Sequence, residues 1–231
     1  SCAVDVVIAG GHGQIARILT RLLHARGDRV RALVRRQEHL ADVEQDGAQG
    51  VLLDLEHASV DDVATAITGA DALVFAAGAG PGSGIARKDT VDRAASVLTA
   101  EAAQRAGVRR VVQISSMGTD RVNDGAVPAG VDEVFVAYLR AKAAAEDDLR
   151  RRDGLDATIL RPGRLTDHPG TGTVTLASRV PRGSVPREDV AATIVALLDE
   201  PATIGLTLEL VEGQTPPAQA VRTLANHQEA R

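Results

Sequence analysis

Short apolar runs at residues 4–9, 30–34, 51–53, 72–77, 110–115, 156–160 and 206–211 alternate with longer segments of helical period. Val, Ile and Leu fill the short runs with little polar alternation, which predicts strands buried on both faces and covered by helices on each side. The fold class is therefore α/β, a doubly wound parallel sheet. In the first helix, Ile15, Ile18, Leu19, Leu22 and Leu23 share one face while Arg17, Arg21 and Arg26 point away, and Gly27 follows as a left-handed cap. Ala94, Val97, Leu98, Ala102 and Ala106 mark a long fourth helix closed by Gly107. Residues 118–130, with Asn123-Asp124-Gly125 and Pro128, read as a loop, and from 162 to 186 the pattern loosens into Gly, Pro, Thr and Arg. Residues 215–231 read as a terminal helix or a frayed tail.

A length of 231 residues fits a single domain, 1–231, with substrate-side loops around 117–131 and 162–186 and only a small C-terminal substrate-side region. A net charge of −5 and 1% aromatic content give neither a footprint for nucleic acid or anionic membrane nor stacking platforms for bases. The expected partner is a small-molecule substrate, and the chain reads equally well as a monomer or a homodimer. One cysteine, Cys2, with no basic leader and no long apolar run, points to a cytoplasmic protein without a transmembrane helix. The six histidines are scattered without metal-ligand spacing, so no metal site is expected.

Gly10, Gly13 and Ala16 stand at G-x-x-G-x-x-A spacing between the first strand and the first helix. There the first glycine permits a tight turn, the second lets backbone approach a pyrophosphate, and the third small residue packs helix on strand. The turn and first helical residues, Gly10, His12, Gly13, Gln14 and Ile15, are the candidate phosphate contacts. At the end of the second strand, where an acidic residue would receive ribose hydroxyls, the chain has Arg35-Arg36, with Glu38 too far on. A guanidinium fork suits a 2′-phosphate, so NADP(H) is preferred over NAD, with Arg35 the better of the two. Asp54 and Leu55 after the third strand are expected beside adenine, and Ala76, Ala77 and Gly78 after the fourth beside the ribose.

Tyr138 and Lys142 lie four apart in a helix-forming segment and so project from one face. An ammonium beside a phenol favours phenolate, and the tyrosine can then exchange a proton with a carbonyl or alcohol oxygen while the lysine holds cofactor ribose. The chain has one tyrosine, and only two of its 26 Lys and Arg residues are lysines, Lys88 and Lys142, which sharpens the pairing. The structural alternative is a tyrosine ring packed on the sheet and a solvated lysine. Ser115 and Ser116 end the fifth strand at the carboxyl edge, where ligands bind; Ser116 is the candidate donor to a substrate oxygen, and Ser115, which borders the cofactor, reads as the structural member that satisfies loop backbone. Pro162 and Gly163, after Arg161, would shape the backbone beside a nicotinamide.

In that order, Gly10-x-x-Gly13-x-x-Ala16, Ser115-Ser116, Tyr138-x-x-x-Lys142 and Arg161-Pro162-Gly163 resemble the short-chain dehydrogenase/reductase superfamily. More closely, the chain resembles its atypical, compact NAD(P)-binding branch, which includes epimerase/dehydratase-like proteins and is related to NmrA-like and flavin-reductase-like ones. The resemblance runs nearly end to end, through VRALVR, YLRAKAAAEDDL, LDATILRPG, VPREDVA and TIGLTLELVEGQTP. It implies a Rossmann-type fold and NADP binding through Gly10, His12, Gly13 and Arg35. It also implies that Asp92 stands where the usual catalytic set has an asparagine, and that Ser116, Tyr138 and Lys142 complete that set. A carboxylate donates no amide hydrogen bond, which sets Asp92 apart from the usual proton relay. Asp189 matches a branch pattern and reads as helix-start chemistry.

The first functional expectation is an NADP-dependent oxidoreductase of a small carbonyl or alcohol, with Tyr138 as general acid/base, Lys142 tuning it, Ser116 positioning the substrate oxygen and Asp92 supporting the site. The alternatives are a non-catalytic NADP(H) sensor, a flavin or quinone reductase needing no tyrosine acid, and a sugar epimerase or dehydratase.

Overall fold

The computed structural model describes residues 2–80 and 82–229. Its strands are β1 (Asp5–Ala9), β2 (Arg29–Val34), β3 (Gln49–Leu52), β4 (Ala72–Phe75), β5 (Arg110–Ile114), β6 (Asp156–Pro162), β7 (Arg164–Thr166), β8 (Val174–Ala177), β9 (Ser184–Pro186) and β10 (Thr207–Glu212). The helices are α1 (Gln14–Ala25), α2 (Leu40–Gln45), α3 (Val60–Ile67), α4 (Ile85–Arg87), α5 (Ser96–Ala106), α6 (Glu133–Arg151), α7 (Arg187–Leu198) and α8 (Pro217–Glu229). Eight strands form one sheet in the order β3-β2-β1-β4-β5-β6-β10-β8, and β7 pairs with β9 in a small second sheet.

The central strand shows why the sheet is parallel and covered on both faces. Val6, Val7, Ile8 and Ala9 are all 0% exposed. Alternation sends Val6 and Ile8 to one side, among Leu19 and Leu23 of α1 and Ile194 and Leu197 of α7. Val7 and Ala9 face the other, among Val63 and Ile67 of α3 and Leu149 of α6. The register Val6↔Val30 and Val6↔Ala72 places the carboxyl ends of β2, β1 and β4 at one edge, where the loops of interest begin. This is the Rossmann-like α/β arrangement expected from the sequence.

Several local expectations need correction. Residues 162–186 are not an irregular loop: they hold the end of β6 and all of β7, β8 and β9, short strands whose few apolar anchors, such as Val174 and Leu176, are diluted by Gly, Pro and Arg. β8 runs antiparallel to β10 at the sheet edge, so the sheet is mixed. Residues 118–130 contain 3-10 turns within Thr119–Gly125, broken by a kink at Asn123 and Asp124, and the C-terminal segment is the helix α8. The helical stretch before Gly107 is α-helical only from Ser96; Lys88–Ala95 is π-helical. Its buried face is also displaced, because Ser96 and Thr99 are inside: Ser96 donates to Gln113 at 2.9 Å and Thr99 to the Ser96 carbonyl at 2.9 Å. In α1, Leu22 is 38% exposed and Thr20 takes the interior place, its hydroxyl donating to the Ala16 carbonyl at 2.9 Å. Among the described residues, no helix is long and apolar enough to cross a membrane.

The outward arginines of α1 fasten that helix to the turn after α2. Asp46, 7% exposed, accepts from Arg17 Nε at 2.7 Å and Arg21 Nη1 at 3.0 Å. Burial works against its ionisation, but the hydrogen bonds and charges of the two arginines outweigh it and hold the carboxyl below the ordinary carboxylate value. A depressed carboxyl contributes stability that is complete above the unfolded value and is lost as pH falls through the lower folded one. Asp46→Asn should therefore lower stability by about 1–2 kcal/mol at pH 7, discounted for the half-exposed arginines. Denaturant midpoints of variant and parent should converge as the pH is taken below about 3.8.

Candidate active site

The turn between β1 and α1 is built from backbone contacts. Gly10 has φ +74°, and a Cβ there would stand 2.5 Å from the Ala77 Cα; one on Gly11 would stand 2.6 Å from the Ala32 Cβ. Gly13 differs: its nearest atoms would be the carbonyl oxygens of Gly10 at 3.4 Å and Ala76 at 3.8 Å, so protein packing alone does not demand glycine there. It is the N-cap of α1, with no side chain accepting from the first helical N–H groups. The helix thus opens with its amides free, the condition for holding an anion at a helix N-terminus.

In front of this turn lies a cleft of ≈ 230 Å³ that brings together Gly10, His12, Gly13, Arg35, Asp54, Leu55, Ala76, Ala77 and Gly78 of the expected set. It also takes in Gly11, His39, Glu56 and Arg87, which the sequence reading did not single out. Arg35, its side chain 43% exposed, reaches within 4.0 Å of Glu56. Glu56 is itself engaged by Arg87 at 2.8 Å and Thr90 at 3.0 Å, which leaves the Arg35 fork largely free. Arg36 stands outside the cleft, its side chain 54% exposed and 3.9 Å from Glu38, because the pleat turns it away from its neighbour. Asp54 is turned to its own loop, accepting from the Glu56 amide at 3.0 Å and bonded to His57 at 2.9 Å. Burial opposes its ionisation, yet those hydrogen bonds, with the charges of His57 and Arg35, keep the carboxyl below its ordinary value. His12 meets Asp42 at 2.8 Å and stacks on His39 with centroids 3.6 Å apart. Burial first, and then the neighbouring His12, hold His39 below the usual imidazole value.

A second cleft of ≈ 400 Å³ meets the first at His12 and is lined by Gln14, Thr166, His168 and Arg187 among others. Thr166 Oγ1 is buried there with no hydrogen-bond partner. Free helix amides, and a glycine that the protein's own packing does not demand, fit a dinucleotide laid across the turn. Ile15 is 9% exposed and points into the core, leaving only its backbone for such a ligand.

On α6 the expected pair is half-buried Tyr138 and Lys142, which is 4% exposed. The Lys142 ammonium donates to the Ile114 carbonyl at 3.2 Å, lies 3.4 Å from Asp92 Oδ1, and sits 6.0 Å from the Tyr138 ring centroid. Asp92, 0% exposed, accepts from the Ala79 amide at 3.3 Å, tying the π-helical segment to the loop after β4. Tyr138, Lys142 and Asp92 therefore converge beside the carboxyl ends of β4 and β5. Ser116 follows β5 and bonds to the Met117 carbonyl at 3.1 Å.

Ser115 does not face the cleft: its hydroxyl donates to Glu146 at 2.8 Å. Glu146, 1% exposed, is the residue the sequence reading missed. It accepts from Thr119 at 3.1 Å and from Arg161 Nη2 at 2.7 Å and Nε at 3.0 Å. Its signal was present in the spacing, four residues beyond Lys142 on a helix face otherwise filled by Ala141, Ala145 and Leu149. Burial lowers the Arg161 guanidinium, but the Glu146 hydrogen bonds and charge outweigh that and raise it. Pro162 and Gly163 are sheet members first: the Pro162 carbonyl accepts from Met117 at 3.0 Å, the Gly163 amide donates to Leu210 at 2.8 Å, and a Cβ on Gly163 would strike the Gly183 carbonyl. Asp189 stands in the first turn of α7, as expected, and is also 2% exposed and accepts from the Thr171 and Gly172 amides, each at 3.0 Å, fixing the loop beyond His168.

A mostly parallel sheet whose glycine turn opens a cleft at the strands' carboxyl ends defines a nucleotide-binding Rossmann-like protein. The profile of the NAD(P)H-binding family matches residues 10–201, and the chain belongs to that family. A Bacillus subtilis (strain 168) protein named an uncharacterized sugar epimerase is 37% identical over 222 residues, spanning 96% of this chain and 100% of its own. Among solved structures, a Bacillus halodurans protein provisionally described as an NAD-dependent epimerase/dehydratase has TM-score 0.86 and 33% identity, over 96% of this chain and 100% of that one. An oxidoreductase from Lactococcus lactis has TM-score 0.85 and 26% identity, over 97% and 98% of the two chains. The protein is thus an NAD(P)H-binding oxidoreductase/epimerase-like family member with a nicotinamide cofactor.

Because Glu146 neutralises Arg161 and gathers two hydroxyls in the interior, Glu146→Gln should cost about 3 kcal/mol of stability, the scale for breaking a buried ion pair. A chemical-denaturation midpoint unchanged by the substitution would contradict that role.

Proposed function

We propose that the protein is an NADP(H)-dependent oxidoreductase that reduces a small carbonyl substrate, or runs the reverse reaction, with the chain acting as one domain. The observation that carries this reading is the meeting of the chain's one tyrosine with buried Lys142 and Asp92, which do not line the glycine-lined cleft but adjoin it where Asp92 packs against Gly78. Gly10, Gly13 and the first amides of α1 would hold the pyrophosphate, with Gln14, Ile15 through its backbone and His12 at the rim. Arg35 would receive the 2′-phosphate, Asp54 and Leu55 would flank adenine, and Ala76, Ala77 and Gly78 the ribose. The bound cofactor supplies the hydride. Tyr138 Oη delivers the proton to the carbonyl oxygen, completing the alcohol, and takes it back in the reverse direction. Ser116 donates a hydrogen bond that orients that oxygen once its hydroxyl turns from the Met117 carbonyl. Lys142 keeps a positive charge beside the phenol, and Asp92 holds the ammonium in place rather than relaying a proton.

Tyr138→Phe should lower turnover by about 10²–10⁴-fold while leaving the NADPH dissociation constant unchanged. Turnover that survives in this variant would instead favour a flavin or quinone reductase, in which hydride passes directly to the acceptor ring. A separate titration addresses the cofactor: Arg35→Ala should weaken NADPH roughly tenfold or more and leave NADH binding as it was, the scale of a lost charge-assisted hydrogen bond. Equal losses for both cofactors would remove the case for NADP.

A further inference from the structure

The other lysine of the chain, Lys88, has no part in the proton transfer just described. It opens the π-helical segment, is 7% exposed, and its Nζ lies 5.5 Å from the Tyr138 ring centroid, closer than that of Lys142. Among the described residues, its ammonium makes one hydrogen bond, to the Gly80 carbonyl at 2.8 Å, and no carboxylate pairs with it. An ammonium has three donors, and Gly80 takes one. Buried charges are ordinarily paired, because an uncompensated one is costly. Lys142 meets that rule through Asp92; Lys88 does not, so a positive charge is left over at the tyrosine. A neutral donor would clamp Gly80 as well, without that cost, so the loop contact alone does not account for a lysine. Beside it, Phe135 is 43% exposed and stacks on Tyr138 with centroids 5.8 Å apart, apolar ring surface left open at the same place.

We propose that Lys88 binds an anionic group of the substrate, so that the protein acts on carbonyl compounds that carry a carboxylate and an apolar, ring-sized body. This rests on the oxidoreductase reading of Tyr138. The two remaining Lys88 donors match one carboxylate, and the Phe135 ring covers the body. The carbonyl carbon then stands between the carboxylate anchor and the cofactor, with its oxygen toward Tyr138.

The test uses the whole protein with Lys88→Gln, which keeps an N–H donor for Gly80, and Lys88→Arg, which keeps the charge. With NADPH, kcat/KM is measured for 4-carboxybenzaldehyde and its methyl ester, alike but for the charge. The parent should prefer the acid, Lys88→Gln should lose about tenfold of that preference, and Lys88→Arg should regain part of it. In parallel, quenching of tyrosine emission by iodide and by neutral acrylamide reads the site without any turnover, since Tyr138 is the chain's one tyrosine and there is no tryptophan. Iodide should quench the parent roughly twofold more, relative to acrylamide, than it quenches Lys88→Gln. An unchanged acid-to-ester ratio or an unchanged iodide ratio in Lys88→Gln overturns the inference. A weakened NADPH dissociation constant in that variant also overturns it, because the anion held would then be the cofactor's phosphate. If neither aldehyde is turned over, the oxidoreductase reading fails separately and the iodide ratio alone decides whether Lys88 draws anions.

Discussion

The contact between the Gly10 turn and the backbone after β4 is the constraint on which the site depends. Where a Gly10 Cβ would stand, the Ala77 Cα, amide nitrogen and Cβ all come within 2.8 Å, so neither strand can carry a larger turn without parting the sheet. Its consequences spread outward. The close approach fixes where the free amides of α1 point, and it sets the Ala76–Gly78 backbone as the opposite wall of the cleft. Gly11 against Ala32 imposes the same economy one strand over, and that seats β2 so that Arg35 emerges at the cleft's rim. Glycine and alanine there are set by backbone geometry, and only Gly13 is left to be explained by a ligand.

A second level of organisation runs along α6. Tyr138, Lys142 and Glu146 succeed one another at four-residue spacing, so they share a face, yet each answers to a different partner element. Glu146 is matched by Arg161 of β6, and Lys142 by Asp92 of the π-helical segment. Were Glu146 unmatched, it would be the obvious counter-ion for Lys142 one turn away; with Arg161 in bidentate contact it is neutralised. The structural ion pair thereby insulates the ammonium beside the tyrosine, leaving Asp92 to set its position. Ser115 belongs with the structural pair, and Ser116 with the open edge.

How much of this was legible in the sequence follows from how locally each feature is determined. The strands β1, β2, β4 and β5 are near-continuous apolar runs because both faces are buried, and they stood out at once, as did the glycine turn and the Tyr138–Lys142 spacing. β8 and β9 did not, since strands of three or four residues with two buried anchors carry too little period to register. The face of α5 was misjudged because buried Ser96 and Thr99 are polar in composition and satisfied by Gln113 and the helix backbone only in three dimensions. Arg35 and Arg36 are interchangeable as letters, and only the pleat separates them. Spacing marks Glu146 as buried on its helix face, but its partners, like those of Asp189, lie 15 to 31 and 17 to 18 residues away in sequence, respectively, which no local pattern announces.

The choice of cation connects these levels. Arginine serves nearly everywhere in this chain, and where one is half-buried its size shows: Arg110 bonds to the Leu197 and Asp156 carbonyls, yet its Nε is left without a partner. Burial lowers that guanidinium to about 10, still charged at neutral pH. A planar fork with five donors needs an acceptor on several sides. An ammonium is a compact charge that one or two oxygens can hold, and it lies comfortably over an aromatic ring, as Lys142 does 5.7 Å from the Phe75 centroid. Both lysines of the chain adjoin its single tyrosine, their ammonium nitrogens 5.5 and 6.0 Å from its ring centroid.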